Sequence, residues 1–162
     1  MRKLILTALF LGTMAAGVSA AQSSPVPYAD QDRCSGCDMQ ITRYPGPKGQ
    51  THLKDGTVEK YCSVRCMICN VALADRTDVL EILAQDAARI DWAKPDNNAP
   101  QINLHDAWLV VGSSKKATMG ASIAPFAVKS EAEAFQKAFG GEVRRLSDLS
   151  RETLGCRKKK AK

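Results

Sequence analysis

Histidine is nearly missing from this chain, which has two in 162 residues, His52 and His105. Neither forms a Ser–His–Asp pattern, and no pair of carboxylates stands out, so the sequence does not indicate a hydrolase. Asp38 and Asn70 stand where c-type haem attachment would need a histidine after a cysteine, which excludes that motif. Each histidine is expected to be a surface or hydrogen-bonded residue, not a ligand. We therefore predict a protein that is not an enzyme.

Long hydrophobic runs are also scarce, and the one that occurs covers residues 4–18. Arg2 and Lys3 precede it, and small residues up to Ala20 follow it, so residues 1–20 are predicted to be a secretory signal peptide. The run is short for a membrane span and contains no cysteine that could accept a lipid. From these features we expect a periplasmic protein with no lipobox and no membrane anchor.

Positive charge is concentrated at one end of the chain. The formal net charge is +6, and five lysines and arginines lie within residues 157–162. The remainder is close to neutral, which argues against a groove for nucleic acid. We predict a basic tail over 156–162 and no nucleic-acid partner.

Cysteine, in contrast, is plentiful, and five of the six lie in two local groups. Disulfides form readily in an exported protein, so a disulfide-stapled domain remains open at this stage. However, a chain of this length does not need such bridges to fold, and Cys-x-x-Cys and Cys-x-x-x-Cys spacings suit metal ligands better. A thiol–disulfide redox protein is a further alternative, although Tyr44-Pro-Gly-Pro47 prevents the helix that usually follows a redox-active pair.

The first cysteine group, together with two methionines, predicts a copper site. Cys34, Cys37 and Met39 place two thiols and a thioether within six residues, and Met119 lies in a polar, glycine-flanked segment with little core to fill. Thiolate and thioether sulfurs select Cu(I), whereas zinc rarely takes a thioether. We expect Cu(I) to be bound by these four residues at the surface.

The second group supports a competing arrangement. Cys62 and Cys66, taken with Cys34 and Cys37, resemble the four-thiol set of small treble-clef modules, which hold zinc or a heavy metal. Cys69 would be a spare ligand one helical turn later, and the pattern leaves the role of Cys156 open.

The chain is predicted to be an α+β protein with two ββα-type units, in which antiparallel hairpins are each backed by a helix. The units cover about 50–75 and 107–139, within a single domain at 34–155 that follows a flexible lead-in at 21–33. The expected elements are strands at 51–53, 57–61, 79–84, 107–112, 123–128 and 142–146. Ser63 is predicted to cap a first helix that extends to Leu73, and Ser130 with Glu133 to form a capping box for a second, with polar loops at 94–100 and 113–120.

The motifs in their order resemble the NosL family of copper chaperones, which assist nitrous oxide reductase. The resemblance covers nearly the whole chain after residue 20 and rests on Cys34-Ser-Gly-Cys37-Asp-Met39, Tyr44-Pro45, Tyr61-Cys62-Ser63-Val64-Arg65, Ala84-Gln-Asp86, Ala107-Trp-Leu-Val-Val-Gly-Ser113, Met119-Gly120, Pro125-Phe126, Glu133-Ala-Phe135 and Gly140-Gly-Glu-Val143. Asp38 replaces the glycine of the family's usual Cys-Gly-Met.

The resemblance implies a Cu(I)-binding protein with two ββα-type units, related in fold to the organomercurial lyases. It implicates Cys37, Met39 and Met119 in the copper site, with Cys34 as the fourth ligand. We therefore predict a monomeric metallochaperone for Cu(I), with zinc as the alternative metal. Its partner would be a copper-receiving client such as nitrous oxide reductase or its assembly factors. An organometal-cleaving enzyme is suggested by the related fold alone.

Overall fold

Two hairpins, each followed by a helix, form the framework of the protein. The structure is a computed structural model in which residues 24–118 and 120–156 are described. In chain order its elements are β1 (Gly49–Leu53), β2 (Val58–Tyr61), α1 (Val64–Asn70), β3 (Val79–Gln85), β4 (Gln101–Asn103), β5 (Trp108–Ala117), β6 (Gly120–Phe126), α2 (Lys129–Phe139) and β7 (Glu142–Arg144). The predicted α+β class with two ββα-type units is confirmed.

The strands form two antiparallel sheets. The first has the order β2-β1-β3-β4 and the second the order β6-β5-β7. In the first hairpin Gly49 pairs with Tyr61, and the chain reverses at Gly56, whose φ of 86° requires a residue without a β-carbon. This pairing leaves Cys62 just beyond the end of β2, immediately before α1.

The main core lies around α1, which packs against β1 and β2 of the first sheet and β6 of the second. Its apolar face repeats at helical spacing, so Val64, Met67 and Ile68 are all buried. They pack with residues from both sheets, among them Tyr61 and Leu109. The helix that carries Cys66 therefore packs against both sheets.

Several local predictions were wrong. The first helix ends at Asn70, not at Leu73. Strand β5 continues through the predicted polar loop to Ala117, because a strand with one exposed face can carry polar residues such as these serines and lysines, while Ser113 is buried. Val128 is the N-cap of α2 and no side-chain hydrogen bond caps that helix, so the Ser130 capping box is absent. Strand β4 had no clear signal, since it is three residues long.

The segment before Cys34 packs more closely than the predicted flexible lead-in. Tyr28 is 3% exposed and belongs to the main core. The side chain of Gln50 accepts from the amide of Val26 (3.0 Å) and donates to its carbonyl (3.1 Å). The packed domain therefore begins before Cys34. The predicted signal peptide lies outside the described residues, as does the basic tail apart from Cys156.

Candidate metal centre

The first two cysteines lie in a tight loop that backbone hydrogen bonds close. The amide of Cys34 donates to the carbonyl of Met39 (2.9 Å), and the amide of Cys37 donates back to the carbonyl of Cys34 (3.3 Å). The amide of Ser35 donates to the carbonyl of Lys60 (2.9 Å), which ties the loop to β2. Both thiols are thereby held next to the point where β2 leads into α1.

The other two cysteines lie on either side of the N-cap of α1. Ser63 is the N-cap, and its hydroxyl accepts from the amide of Cys66 (3.2 Å). Cys62 precedes this residue and Cys66 lies in the first helical turn. The capping bond thus fixes the backbone from which both thiols project.

The four thiols converge. The Sγ atoms of Cys34, Cys37, Cys62 and Cys66 all lie within 4.8 Å of one another. Cys34 Sγ is 3.6 Å from Cys66 Sγ, and Cys37 Sγ is 3.6 Å from Cys62 Sγ. With metal–sulfur bonds of about 2.3 Å, sulfurs at the corners of a tetrahedron are roughly 3.8 Å apart. The donor set therefore fits a single soft metal ion with small adjustments.

One side of this cluster reaches the surface. Cys34, Cys62 and Cys66 are buried, at 3%, 0% and 9% exposure, whereas Cys37 is half-buried. An ion held by all four thiols would be enclosed by protein except on the Cys37 side, and exchange with another molecule would have to begin there.

The thiols influence each other's protonation. Hydrogen bonds from the thiols of Cys62 and Cys66 hold the pKa of Cys34 far below its ordinary value, against the opposing effect of burial. The same contacts with the Cys34 sulfur raise the pKa values of Cys62 and Cys66. One thiolate is thus stabilised by neighbours that keep their protons. A cation entering the cluster would replace those protons as the compensating positive charge.

A close contact joins the cysteine loop to α1 at Gly36. A β-carbon on Gly36 would lie 2.8 Å from Cys66 Sγ and 2.7 Å from Asn70 Nδ2. Asn70 Nδ2 donates to the carbonyl of Cys66 (2.8 Å) and lies 3.6 Å from its sulfur. The loop can approach the helix this closely because Gly36 has no side chain.

Two polar side chains converge on the carbonyl of Cys62. Lys48 Nζ donates to it at 3.3 Å and Thr118 Oγ1 at 3.2 Å. The Lys48 ammonium also donates to the carbonyls of Tyr44 and Pro45, and the residue is 3% exposed. Burial lowers the pKa of Lys48 to about 8, and an electrostatic interaction with Cys62 acts in the opposite direction. A cationic group is therefore buried beside the thiols.

The backbone at Asp38 explains why glycine suits this position. Asp38 has a φ of 61°, in the left-handed region that glycine enters freely. Aspartate is one of the few other residues that tolerate it. The Asp38 amide donates to the carbonyl of Cys34 (2.8 Å), and its carbonyl accepts from Arg33 Nη1 (2.7 Å). The exchange of glycine for aspartate thus preserves the loop and adds a carboxylate beside Cys37.

The remaining residues considered as metal ligands are two methionines, Cys69 and the two histidines. Met39 is half-buried in the cysteine loop, and Met119 lies outside the described residues. Cys69 forms a disulfide with Cys156, so it is not the spare ligand that its position on α1 indicated. Neither histidine belongs to the thiol cluster as far as the described residues show.

Sequence reasoning missed the residues that support the thiols, namely Gly36, Lys48, Asn70 and Thr118. Gly36 could have been noticed in the sequence, because it lies between the two cysteines of the Cys34-Ser-Gly-Cys37 motif. The lysine, asparagine and threonine carry no signal, because their roles depend on contacts between segments far apart in the sequence.

Taken together, the two ββα-type units and the four convergent thiols define an α+β protein with a cysteine centre suited to a soft metal. The model of the NosL family matches residues 25–154. The chain therefore belongs to the NosL family, and the resemblance noted in its motifs is confirmed.

Individual relatives agree with this assignment. A copper-binding lipoprotein NosL of Stutzerimonas stutzeri is 39% identical over 132 residues, which is 80% of this chain and 68% of the relative. One of Achromobacter cycloclastes is 36% identical over 120 residues, 70% of this chain and 61% of the relative. The crystal structure of the copper chaperone NosL from Shewanella denitrificans is similar with a TM-score of 0.76 and 33% identity, covering 82% of this chain and 99% of that one.

The relatives correct the predicted location. The two curated relatives are named lipoproteins, proteins that carry a lipid anchor. The prediction of a periplasmic protein with no lipobox and no membrane anchor, which rested on the features of residues 1–20, is therefore wrong. Among the described residues, no helix has the length and apolar character needed to cross a membrane.

Proposed function

We propose that this protein is a non-enzymatic copper chaperone that binds one Cu(I) ion through Cys34, Cys37, Cys62 and Cys66. The observation that carries the proposal is the convergence of these four sulfurs within 4.8 Å, with Cys37 towards the surface. Thiolates are the ligands that Cu(I) prefers. Relatives named as copper-binding proteins and as a copper chaperone support the same metal.

Copper is the cargo of such a protein, so the centre must release it as well as bind it. We propose that Met39 and Met119 act as additional sulfur ligands during binding or release. Met39 follows Cys37 in the cysteine loop. Thr118, which precedes Met119 in the sequence, donates to the carbonyl of Cys62. A thioether binds Cu(I) without losing a proton, so it can replace a thiol as the ion moves.

The client would be a copper-receiving protein, and the family resemblance favours nitrous oxide reductase or its assembly factors. All four thiols belong to one chain, within the domain predicted at 34–155, so the centre is complete in a monomer. We therefore propose that a single copy carries the ion to the client.

Zinc binding in a structural module is the second candidate. The spacing of the four sulfurs also suits a tetrahedral zinc site, which needs four thiolates or histidines. In that case the centre would stabilise the fold and the methionines would serve only in packing.

Anaerobic titration distinguishes the two candidates. The protein, with the four clustered thiols reduced, is titrated with Cu(I) and with Zn(II) in competition with a chelator, and metal is counted per chain. We expect one Cu(I) held tightly and Zn(II) held more weakly. One Zn(II) that Cu(I) displaces only at high excess would contradict the chaperone proposal and favour the zinc module.

Replacing Met119 with leucine tests whether the Met119 thioether binds Cu(I). Leucine has a similar volume but no sulfur, so Met119→Leu should lower the affinity for Cu(I) and leave thermal unfolding and Zn(II) affinity unchanged. Met67→Leu is a matched control, because Met67 is fully buried in the core next to Gly49. Equal Cu(I) affinity in Met119→Leu and the unmodified protein would remove Met119 from the site.

A further inference from the structure

Lys48 is a buried cation beside the thiol centre that the proposed function does not use. Its ammonium donates to three backbone carbonyls, those of Tyr44, Pro45 and Cys62. Its own backbone is fixed to Gln85 on β3, since Gln85 Oε1 accepts from the Lys48 amide and the Gln85 amide donates to the Lys48 carbonyl, both at 3.0 Å. The positive charge is thus held in one place by the fold.

The ammonium lies against the backbone of the thiol centre. Lys48 Nζ lies 3.3 Å from the carbonyl oxygen of Cys62, one of the four clustered cysteines. Carbonyl groups satisfy the hydrogen bonds of an ammonium but do not neutralise it. A buried lysine ordinarily needs a paired anion, and the thiol centre gains negative charge when a metal displaces its protons.

The charge of the loaded centre depends on the metal. For any given set of thiolates, a Cu(I) complex carries one unit more negative charge than a Zn(II) complex. A fixed positive charge nearby therefore stabilises the Cu(I) complex more than the Zn(II) complex. The difference is large because the charges interact through poorly polarisable protein and not through water.

We propose that Lys48 is a specificity-determining residue of this centre, whose buried positive charge favours Cu(I) over Zn(II). The inference rests on the proposed four-thiol site and goes beyond it, because it assigns selectivity to a residue that does not touch the ion. Lys48 acts through the charge it places beside Cys62 and is a positioning residue, not a ligand.

The test is the ratio of two affinities in neutral and charged variants. Dissociation constants for Cu(I) and Zn(II) are measured by chelator competition at pH 7 for the unmodified protein, Lys48→Met, Lys48→Gln and Lys48→Arg. We expect both neutral variants to lose about tenfold more affinity for Cu(I) than for Zn(II), and arginine to restore most of the preference. A general loss of structure would weaken both metals equally and leave the ratio unchanged.

A matched control uses Lys60, which is half-buried and donates to the carbonyl of Pro27 and to Asp32, a carboxylate that already compensates its charge. Lys60→Met should leave the Cu(I) to Zn(II) ratio unaltered. An unchanged ratio in variants of Lys48 that unfold at the same temperature as the unmodified protein, with tight Cu(I) binding retained by the latter, would overturn the role of Lys48 alone. Failure of the unmodified protein to bind Cu(I) would overturn the proposed function and this inference together.

Discussion

Replacing Cys62 and Cys66 with serine is expected to abolish tight binding of Cu(I). If all four thiols hold the ion, the double variant loses half of its donors, and serine oxygen is a poor ligand for Cu(I). Structural zinc sites in zinc-finger peptides bind their metal with apparent free energies of about 10–16 kcal/mol, and on that scale losing two of four ligands should weaken binding at least about a thousandfold. Chelator competition under anaerobic conditions measures the change.

The chain offers a control with the same number of cysteines removed. Cys69 and Cys156 form a disulfide outside the cluster, so their replacement by serine should leave one Cu(I) bound with unchanged affinity. The bond joins residues 87 positions apart, and its loss should lower the free energy of unfolding by about 2–4 kcal/mol. If Cys62→Ser/Cys66→Ser still held one Cu(I) tightly, the site would consist of Cys34, Cys37 and the methionines.

A single methyl group at Gly36 is expected to disrupt the centre without removing any ligand. The added β-carbon would lie 2.8 Å from Cys66 Sγ and 2.7 Å from Asn70 Nδ2, closer than van der Waals contact allows. Relief requires the Cys66 sulfur and the Asn70 amide to shift, or the cysteine loop to move away from α1, and either change alters the distance of Cys66 Sγ from the other thiols. Overpacking of this kind costs about 1–3 kcal/mol, so Gly36→Ala should weaken Cu(I) binding about tenfold to a hundredfold.

Ser35→Ala is the matched control, because Ser35 is the exposed neighbour in the same loop and uses its backbone amide, not its hydroxyl, to bond to Lys60. Its affinity for Cu(I) should equal that of the unmodified protein. The packing explanation fails if Gly36→Ala binds Cu(I) as tightly as Ser35→Ala does. Thermal unfolding of both apo-proteins shows whether the effect is confined to the centre.

Local signals predicted the parts of the fold that local interactions determine. The strands predicted at 51–53 and 57–61 form the first hairpin, and Ser63 caps α1 as predicted, since a turn and a cap depend on a few adjacent residues. Strand β5 was predicted too short because its second half reads Gly112-Ser-Ser-Lys-Lys-Ala117, a polar sequence that resembles a loop. Pairing with β6 overrides that composition.

The metal centre was predicted only in part, because sequence shows the spacing of nearby residues but not the contacts between distant segments. The two cysteine groups and their metal-ligand spacing were visible, but nothing in the spacing showed that Cys34 approaches Cys66 or that Cys69 pairs with Cys156. Those distances follow from how α1 packs between the sheets and where the chain end returns to it. Lys48 could not have been chosen either, because its burial depends on the Tyr44–Pro45 segment folding over it.

The central claim is that Cu(I) is held by the four clustered thiols, and X-ray absorption at the copper edge of the protein loaded with one Cu(I) tests it most directly. We predict a first shell composed only of sulfur, with at least three sulfur atoms at about 2.3 Å, and its loss in Cys62→Ser/Cys66→Ser. A shell containing nitrogen or oxygen, or one that survives the double substitution unchanged, would contradict the claim.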